Sequence, residues 1–387
     1  MNETQPILDP LRGVRRGEVK AQNYHAVCDL ISREGPLSQV GIAERLNLSQ
    51  ASVSRIGNAL ICGGLLEEVA RVRSRSGRRQ ILMDIRGDAG CVAVVQIQAS
   101  SLRLRLVDLK GAECTSATWR GEIAAVDTLL ERIAALLADP SVAKFGPPIV
   151  VALGVPGAWD NWRRRVHAIP NAPYLEGVDL ERAAAAKLGS VVLVDNDVNF
   201  ATLGEHASGG ARNVDDFFYL NIGAGVGGGA FVGGSLHRGA DGFAGEIGSL
   251  PIMRHGEHVM FERLVAWEAI GARLAALDFA MDAPTFFDAL DSGHREALVV
   301  AEELADTIAL ALAAVVTVLS PSLIVLGGDI GRRLGSVIPN IKVRLSQLVR
   351  QNPALVCSSL GADTSLIGAA AQALQRGRAL LVAQLVP

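Results

Sequence analysis

Residues Asn221 to Gly234 read NIGAGVGGGAFVGG, and a loop this rich in glycine lets a backbone come close to a phosphate. A fold that uses such a loop needs a second, acidic phosphate loop near the start of the same domain. The strand placed to supply it is Val92 to Ile97, followed by QASSLR. Where an Asp, then glycines and a Thr, would complete the site stand Gln96, Gln98, Ala99 and Ser100. The sequence therefore predicts half of a nucleotide site, and a sensor rather than a catalyst.

A different pattern precedes this one. Asn23 to Arg33 reads as a helix with Val27, Leu30 and Ile31 on one face, ended by Gly35-Pro36. Ser38 is a good N-cap for a short helix over Gln39 to Leu46, and Asn47-Leu48 makes a turn. Ser49 caps a third helix that Gly63-Gly64 ends. On it Val53, Ile56 and Leu60 face inward, which leaves Gln50, Ala51, Ser52, Ser54 and Arg55 outward or near the N-terminal end. Short polar and basic residues there suit a recognition helix entering the major groove. The run Leu65 to Val69, an arginine-rich turn and Gln80 to Ile85 then read as strand, basic turn and strand, which is a wing. Arg73, Arg75, Arg78 and Arg79 on that turn can meet phosphates or a narrow minor groove. The bland alternative is a helical docking domain with a solvated arginine loop.

Bulk properties narrow the classes. The chain has 387 residues, enough for two or three domains each with a core. No apolar run reaches the ~18 residues of a membrane-spanning helix. Ile308 to Leu319 fits a buried helix instead, and the N-terminus lacks a signal-peptide pattern, so the cytoplasm is expected. Cys28, Cys62, Cys91, Cys114 and Cys357 are scattered with no CxxC pairing, which reads as reduced thiols. The net charge of −3 hides a basic excess before residue 90, concentrated in the arginines at 71, 73, 75, 78 and 79.

From Gly90 onward strands alternate with helices. Val92 to Ile97, Leu102 to Asp108, Ile149 to Leu153 and Val191 to Val194 are apolar and β-branched, with helices at Thr128 to Ala138 and Leu180 to Leu188. Phe217 to Ile222, Gly228 to Val232 and Leu323 to Leu326 form a second set. Two such sets in tandem predict an α/β region of two lobes with a cleft.

Four segments, GVPGAWD at Gly154, IPNAPYLEGVDL at Ile169, VDNDVNFATLGE at Val194 and NIGAGVGGGAFVGG, resemble the ROK group (repressors, open reading frames and sugar kinases) of the actin-like ATPase fold. GFAGEIGSLPI at Gly242 and LIVLGGDIG at Leu323 add to it. The N-terminal module, with SGRRQILMDI, resembles the winged helix-turn-helix of that family's transcriptional repressors, those of the xylose operon and of N-acetylglucosamine among them. The resemblance implies a winged helix-turn-helix over 1–88 and a two-lobed ROK domain over 89–387. The lobe boundary is expected near 205, with the C-terminal helix returning to the first lobe.

It also implies site residues. In the kinases of the family the Asp matching Asp197 is the general base that takes a sugar hydroxyl proton. A helix N-cap is the other role open to Asp197. Asn196 beside it can donate and accept, as sugar hydroxyls require. Asn171 and Glu246 lie in segments that line the family's sugar pocket, and Glu262 in FERLVAWEAI matches a second sugar-contacting Glu. Taken singly, each glutamate also reads as a surface carboxylate.

Two departures stand out. The phosphate loop at Gln96 to Ser101 has lost its acid and glycines, and Ala224 stands where a Thr is common, so ATP–Mg is not expected to bind. The surviving glycines can then serve simply to keep a tight strand-turn-strand. Family members commonly carry a His directly after GEIG and then a zinc-binding cysteine cluster. Here Ser249 takes the His position, LPIMRHGEHVMFERL holds no cysteine, and His255 and His258 read as solvated, so no zinc is expected. The expectation is a cytoplasmic repressor of carbohydrate-utilisation genes, a homodimer or tetramer off the membrane, whose operator binding responds to a mono- or disaccharide. The alternative is a sugar kinase that phosphorylates a hexose with ATP.

Overall fold

The computed structural model describes residues 16–73, 79–168, 172–254, 256–279, 281 and 283–386. They group into two compact units. One holds the described residues through Cys91 together with Val107–Ala112 and the chain from Leu374 onward; the other holds Val92–Leu106 and Glu113–Ala373.

In the first unit the elements are α1 (Arg16–Glu34), β1 (Leu37–Ser38), α2 (Gln39–Leu46), α3 (Gln50–Cys62), β2 (Leu66–Arg73) and β3 (Arg79–Ile85). Both predicted caps form: Ser38 Oγ accepts from Gly41 N at 3.1 Å, and Ser49 Oγ accepts from Ser52 N at 3.1 Å. Between them Asn47 adopts φ 50°, ψ 43°, the left-handed conformation that asparagine tolerates at a helix end. The three helices bury Val27, Ile31, Ile42, Val53 and Leu60, and β3 buries Met83 and Ile85 in the same unit. The strands lie in the order β1-β3-β2, with Leu66 opposite Ile85 and Arg73 opposite Arg79. The chain from Leu374 joins this core, since a Cβ on Gly63 would collide with Leu385. Arg378 donates to the Leu109 carbonyl at 3.0 Å. Burial pushes the nearby Cys28 thiol up to about 12.

The second unit contains two sheets built alike. The first lobe has β4 (Cys91–Gln98), β5 (Ser101–Asp108), β6 (Glu113–Arg120), α4 (Val126–Ala138), α5 (Pro140–Ala143) and β7 (Val150–Val155). A hairpin of β8 (Gly157–Asp160) and β9 (Arg165–Ala168) follows, then α6 (Leu180–Leu188), β10 (Val191–Asn196) and α7 (Asp197–Ser208). The sheet order is β10-β7-β4-β5-β6, with β10, β7 and β4 parallel. Every residue of β7 is buried, the near-continuous apolar pattern of a strand covered on both faces.

The second lobe has β11 (Phe217–Ile222), β12 (Val226–Val232), β13 (Ser235–His237), β14 (Pro251–Arg254), β15 (Glu257–Met260), α8 (Glu262–Val265), α9 (Trp267–Ala275), α10 (Ala283–Asp291) and α11 (Arg295–Leu319). Then come β16 (Leu323–Gly327), α12 (Gly328–Gly331), α13 (Ile338–Leu348) and β17 (Ala354–Cys357), followed by α14 (Thr364–Leu385), which passes into the first unit at Leu374. The second lobe's sheet runs β13-β12-β11-β16-β17, with β11, β16 and β17 parallel. Counted from the first strand of each lobe, both sheets have the order 3-2-1-4-5. The same α/β unit is thus used twice. Among the described residues no helix is long and apolar enough to cross a membrane.

Helix α7 joins the lobes. Phe217, Tyr219 and Phe231 of the second sheet are buried with Ala201 of α7. On another side α7 meets the first turns of α14 backbone to backbone: a Cβ on Gly368 would lie 1.7 Å from Phe200 O, and one on Gly204 2.3 Å from Thr364 O. Only glycine permits that approach.

Candidate functional site

The carboxylates expected to line the cleft come from three segments. Asp197 is the first residue of α7, and the cap is its neighbour: Asn196 Oδ1 accepts from Val198 N at 2.7 Å and Asn199 N at 3.1 Å. Asn196 Nδ2 donates to Gly157 O at 2.9 Å, so this side chain fixes β8 against α7 and keeps one N–H for a ligand. The capping role that the sequence left open for Asp197 belongs to Asn196, and the Asp197 carboxylate is left for other work.

Glu246 and Glu262 reach the same place. Glu246 sits on the loop Gly242–Ser249, which two glycines hold down. Gly242 (φ 87°) rests on the Trp159 carbonyl, and Gly245 (φ 94°) on the Gly228 carbonyl, each with a virtual Cβ at 2.2 Å. Glu262 opens α8, with Oε2 3.2 Å from the Cβ position of Gly248. Burial raises the Asp197 carboxyl to about 6, and the Glu246 charge adds to the rise. Glu246 and Glu262 are both exposed residues, yet partial desolvation raises the Glu246 carboxyl and Glu262 adds to the rise. The three carboxylates therefore share one electrostatic neighbourhood rich in hydrogen-bond acceptors. Asn171, also expected here, lies outside the described residues.

Two features of this site escaped the sequence. Asp195, buried one residue before the cap, accepts from Arg238 Nη2 at 2.6 Å and Nε at 2.9 Å, and from Asn199 Nδ2 at 2.8 Å. Arg238 follows β13, and both of its nitrogens donate to Asp195 Oδ2 while Oδ1 takes Asn199, so this ion pair ties the two lobes together next to Asn196 and Asp197. No sequence signal links residues 43 apart.

The second feature is at Gln96. The alternation of β5 puts Arg103 and Arg105 on one face, and both pair with Asp363, just before α14. Arg103 Nη1 also donates to Gln96 Oε1 at 3.4 Å and to Ala362 O at 3.2 Å. The strand end that would present a metal-binding acid presents a neutral amide held by an arginine. The following turn is closed by Ser101 Oγ donating to Gln98 Oε1 at 2.7 Å. These donors do not fit a magnesium–nucleotide complex.

The glycine run divides in two. A Cβ on Gly228 would collide with Phe218, and one on Gly229 would lie 1.8 Å from Thr202 Oγ1, so these two let β12 close on its surroundings. Gly227 faces Val198 of α7 at 3.1 Å. At the turn, Gly225 meets nothing within 4 Å and Gly223 N bonds Gly225 O at 3.0 Å. The turn is thus open at Gly225, while Gly223 is bonded at both its N–H and, through Trp267 N, its carbonyl, with Ala224 between the two glycines.

Where a zinc cluster would follow GEIG there is the β14–β15 hairpin, with Pro251 paired to Met260. Ser249 and His258 are exposed, and His255 lies outside the described residues. No group of three or more His, Cys, Asp or Glu that could hold a metal occurs among the described residues.

In the other unit, α3 buries Val53, Ile56, Gly57 and Leu60, and leaves Ser49, Gln50, Ala51 and Arg55 exposed and Ser52 and Ser54 half-buried. Asn58 shares the exposed face and was missed, although its i+3 spacing from Arg55 could have found it. Arg75 and Arg78 lie outside the described residues. Arg73 and Arg79 are placed as a facing backbone pair at the ends of β2 and β3.

Residues 93–376 match the ROK family, and the chain belongs to that family. It is 28% identical over 242 residues to a putative xylose repressor of Caldicellulosiruptor sp., covering 60% of this chain and 59% of that one. It is 24% identical over 364 residues to the xylose repressor of Bacillus spizizenii, covering 90% and 94%. Kinases are related too: the glucokinase of Thermotoga maritima is 27% identical over 269 residues, covering 63% and 84%. Among solved structures, a ROK family transcriptional regulator, a homolog of the Escherichia coli MLC protein, superposes with a TM-score of 0.82 at 22% identity, covering 95% and 99%. That likeness establishes the fold: a helix-turn-helix module joined to the two-lobed actin-like architecture.

Proposed function

We propose that the protein is a sugar-responsive transcriptional repressor that binds operator DNA through α3 and the wing, and a neutral sugar between the lobes. The observation that carries this reading is the pairing of an exposed polar helix face, Gln50 to Arg55, with a cleft whose first phosphate loop carries Gln96 held by Arg103. Relatives named as xylose repressors support it. Asp197, Glu246 and Glu262, with the free N–H of Asn196, supply acceptors and a donor for vicinal hydroxyls. A dimer would place two α3 helices on a palindromic operator. Sugar weakens DNA binding only as far as it prefers one lobe arrangement over the other. The protein works without zinc or ATP–Mg, in the cytoplasm.

Thermal melting against a panel of mono- and disaccharides, with and without ATP–Mg, tests this. The proposal expects a rise with at least one sugar and none with nucleotide. No rise with any sugar would remove the sensor reading.

Two observations favour a second reading, a sugar kinase. A carboxyl near 6 at Asp197 suits a general base, and Gly225 faces open space. ATP-dependent phosphorylation of a hexose, abolished by Asp197→Asn, would establish it.

A further inference from the structure

The hairpin β8–β9 and the Glu246 loop place two rings beside the carboxylates that no part of the reading so far uses. Asn196 Nδ2 holds the Gly157 carbonyl, Gly157 pairs with Ala168 across the hairpin, and Ala158 pairs with His167. His167 is thus one register step from the cap of α7. Its ring lies 5.0 Å from that of Phe243, at 42° between planes. Phe243 precedes Glu246 by three residues, on the segment that Gly242 and Gly245 clamp to β8 and β12. Its carbonyl accepts from Glu246 N at 3.3 Å. A chain of contacts thus runs from Asn196, the residue before Asp197, through Gly157 and the hairpin to His167, Phe243 and Glu246.

Phe243 is 45% exposed, although close backbone contacts at Gly242 and Gly245 fix the loop on either side of it. Both ends of that loop are fixed by backbone contacts, so the ring is presented outward by its scaffold. An aromatic face carries negative charge density and packs well on the C–H face of a pyranose, whereas its neighbours Asp197 and Glu246 take hydroxyls. Phe243 and Glu246 stand three residues apart on one anchored loop, so an apolar ring and a carboxylate are presented from the same segment.

We propose that Phe243 and His167 form a second carbohydrate subsite, at the mouth of the cleft, that stacks on the outer ring of a disaccharide or longer glycoside. The inference rests on the sugar-binding reading above and specifies its ligand class. The inner ring meets Asp197, Glu246 and Glu262, and the outer ring covers Phe243. Ser249 adds no bulk on this loop where a histidine would.

Calorimetric titration of the full chain decides it. The probes are glucose, xylose and N-acetylglucosamine, each as the free sugar and as its α- and β-1,4-linked disaccharide. For at least one pair the disaccharide is expected to bind roughly three- to tenfold tighter than its monosaccharide, the scale of one aromatic ring contact. In Phe243→Ala that ratio falls towards one, and in Phe243→Tyr it is retained. The readout is the ratio within each variant, so a general loss of affinity does not imitate the effect. Thermal melting of each variant, compared with the unsubstituted chain, confirms that it is folded. Disaccharides that bind no tighter than their monosaccharides would overturn the subsite, as would a ratio that survives Phe243→Ala. Either result leaves the sugar reading standing if the monosaccharides bind. Failure of every sugar to bind overturns both.

Discussion

Asp197 shows how one residue's environment sets its chemistry. Its carboxyl rises from 3.8 to about 6 through burial and the facing Glu246. Between those values the folded protein holds a proton that the unfolded chain has released, so this group's contribution to stability declines as pH rises through the window. Sugar affinity runs the other way, because the ionised form accepts the hydroxyl. Affinity is expected to be flat above about pH 7 and to fall up to tenfold per unit below about pH 6. Titrations across that range check it, and Asp197→Asn should remove the dependence. Gly229 makes a separate point at this scale. Alanine there would strike Thr202 Oγ1, and we expect a loss of about 1–3 kcal/mol in denaturant unfolding. Adding Thr202→Ala should recover part of it.

At the scale of elements, much of the N-terminal module was legible because its signals are local. Ser38 and Ser49 cap the helices they precede, Gly64 takes φ 77° after α3, and the apolar spacing of Val53, Ile56 and Leu60 fixes the buried face. Helix α3 then offers Arg55 outward. Arg55→Ala is expected to weaken DNA binding by about 1–3 kcal/mol and to relax sequence preference if it reads a guanine, measured by fluorescence anisotropy on bound and shuffled sites. Unchanged affinity would count against the recognition helix. The β8–β9 hairpin was not legible: four-residue strands carry too little periodicity to be seen in sequence. The network at Gln96 was half legible. The missing acid was plain, but the arginine that holds the amide is partnered by an aspartate 260 residues away.

Across the whole molecule, the doubled 3-2-1-4-5 sheet accounts for the two sets of strands seen in the sequence, and for their spacing around α7. What the sequence could not show is how the cleft is braced. Asp195 and Arg238 meet only after both lobes have formed, and removing the arginine would leave the buried Asp195 carboxylate without its charge partner. The three candidate carboxylates were identified by resemblance, and their convergence is a property of the assembled lobes. The same assembly turns the glycine run from a single motif into two parts, one that packs β12 and one that leaves a turn open.

The central claim is that one chain couples sugar in the cleft to release of DNA. The most direct test is the affinity of the full chain for a DNA fragment it selects from its own genome, measured with and without the sugar that raises its melting temperature. The account predicts salt-sensitive binding that this sugar weakens and ATP–Mg leaves unchanged. Binding that the sugar does not alter, or that requires nucleotide to respond, would contradict it.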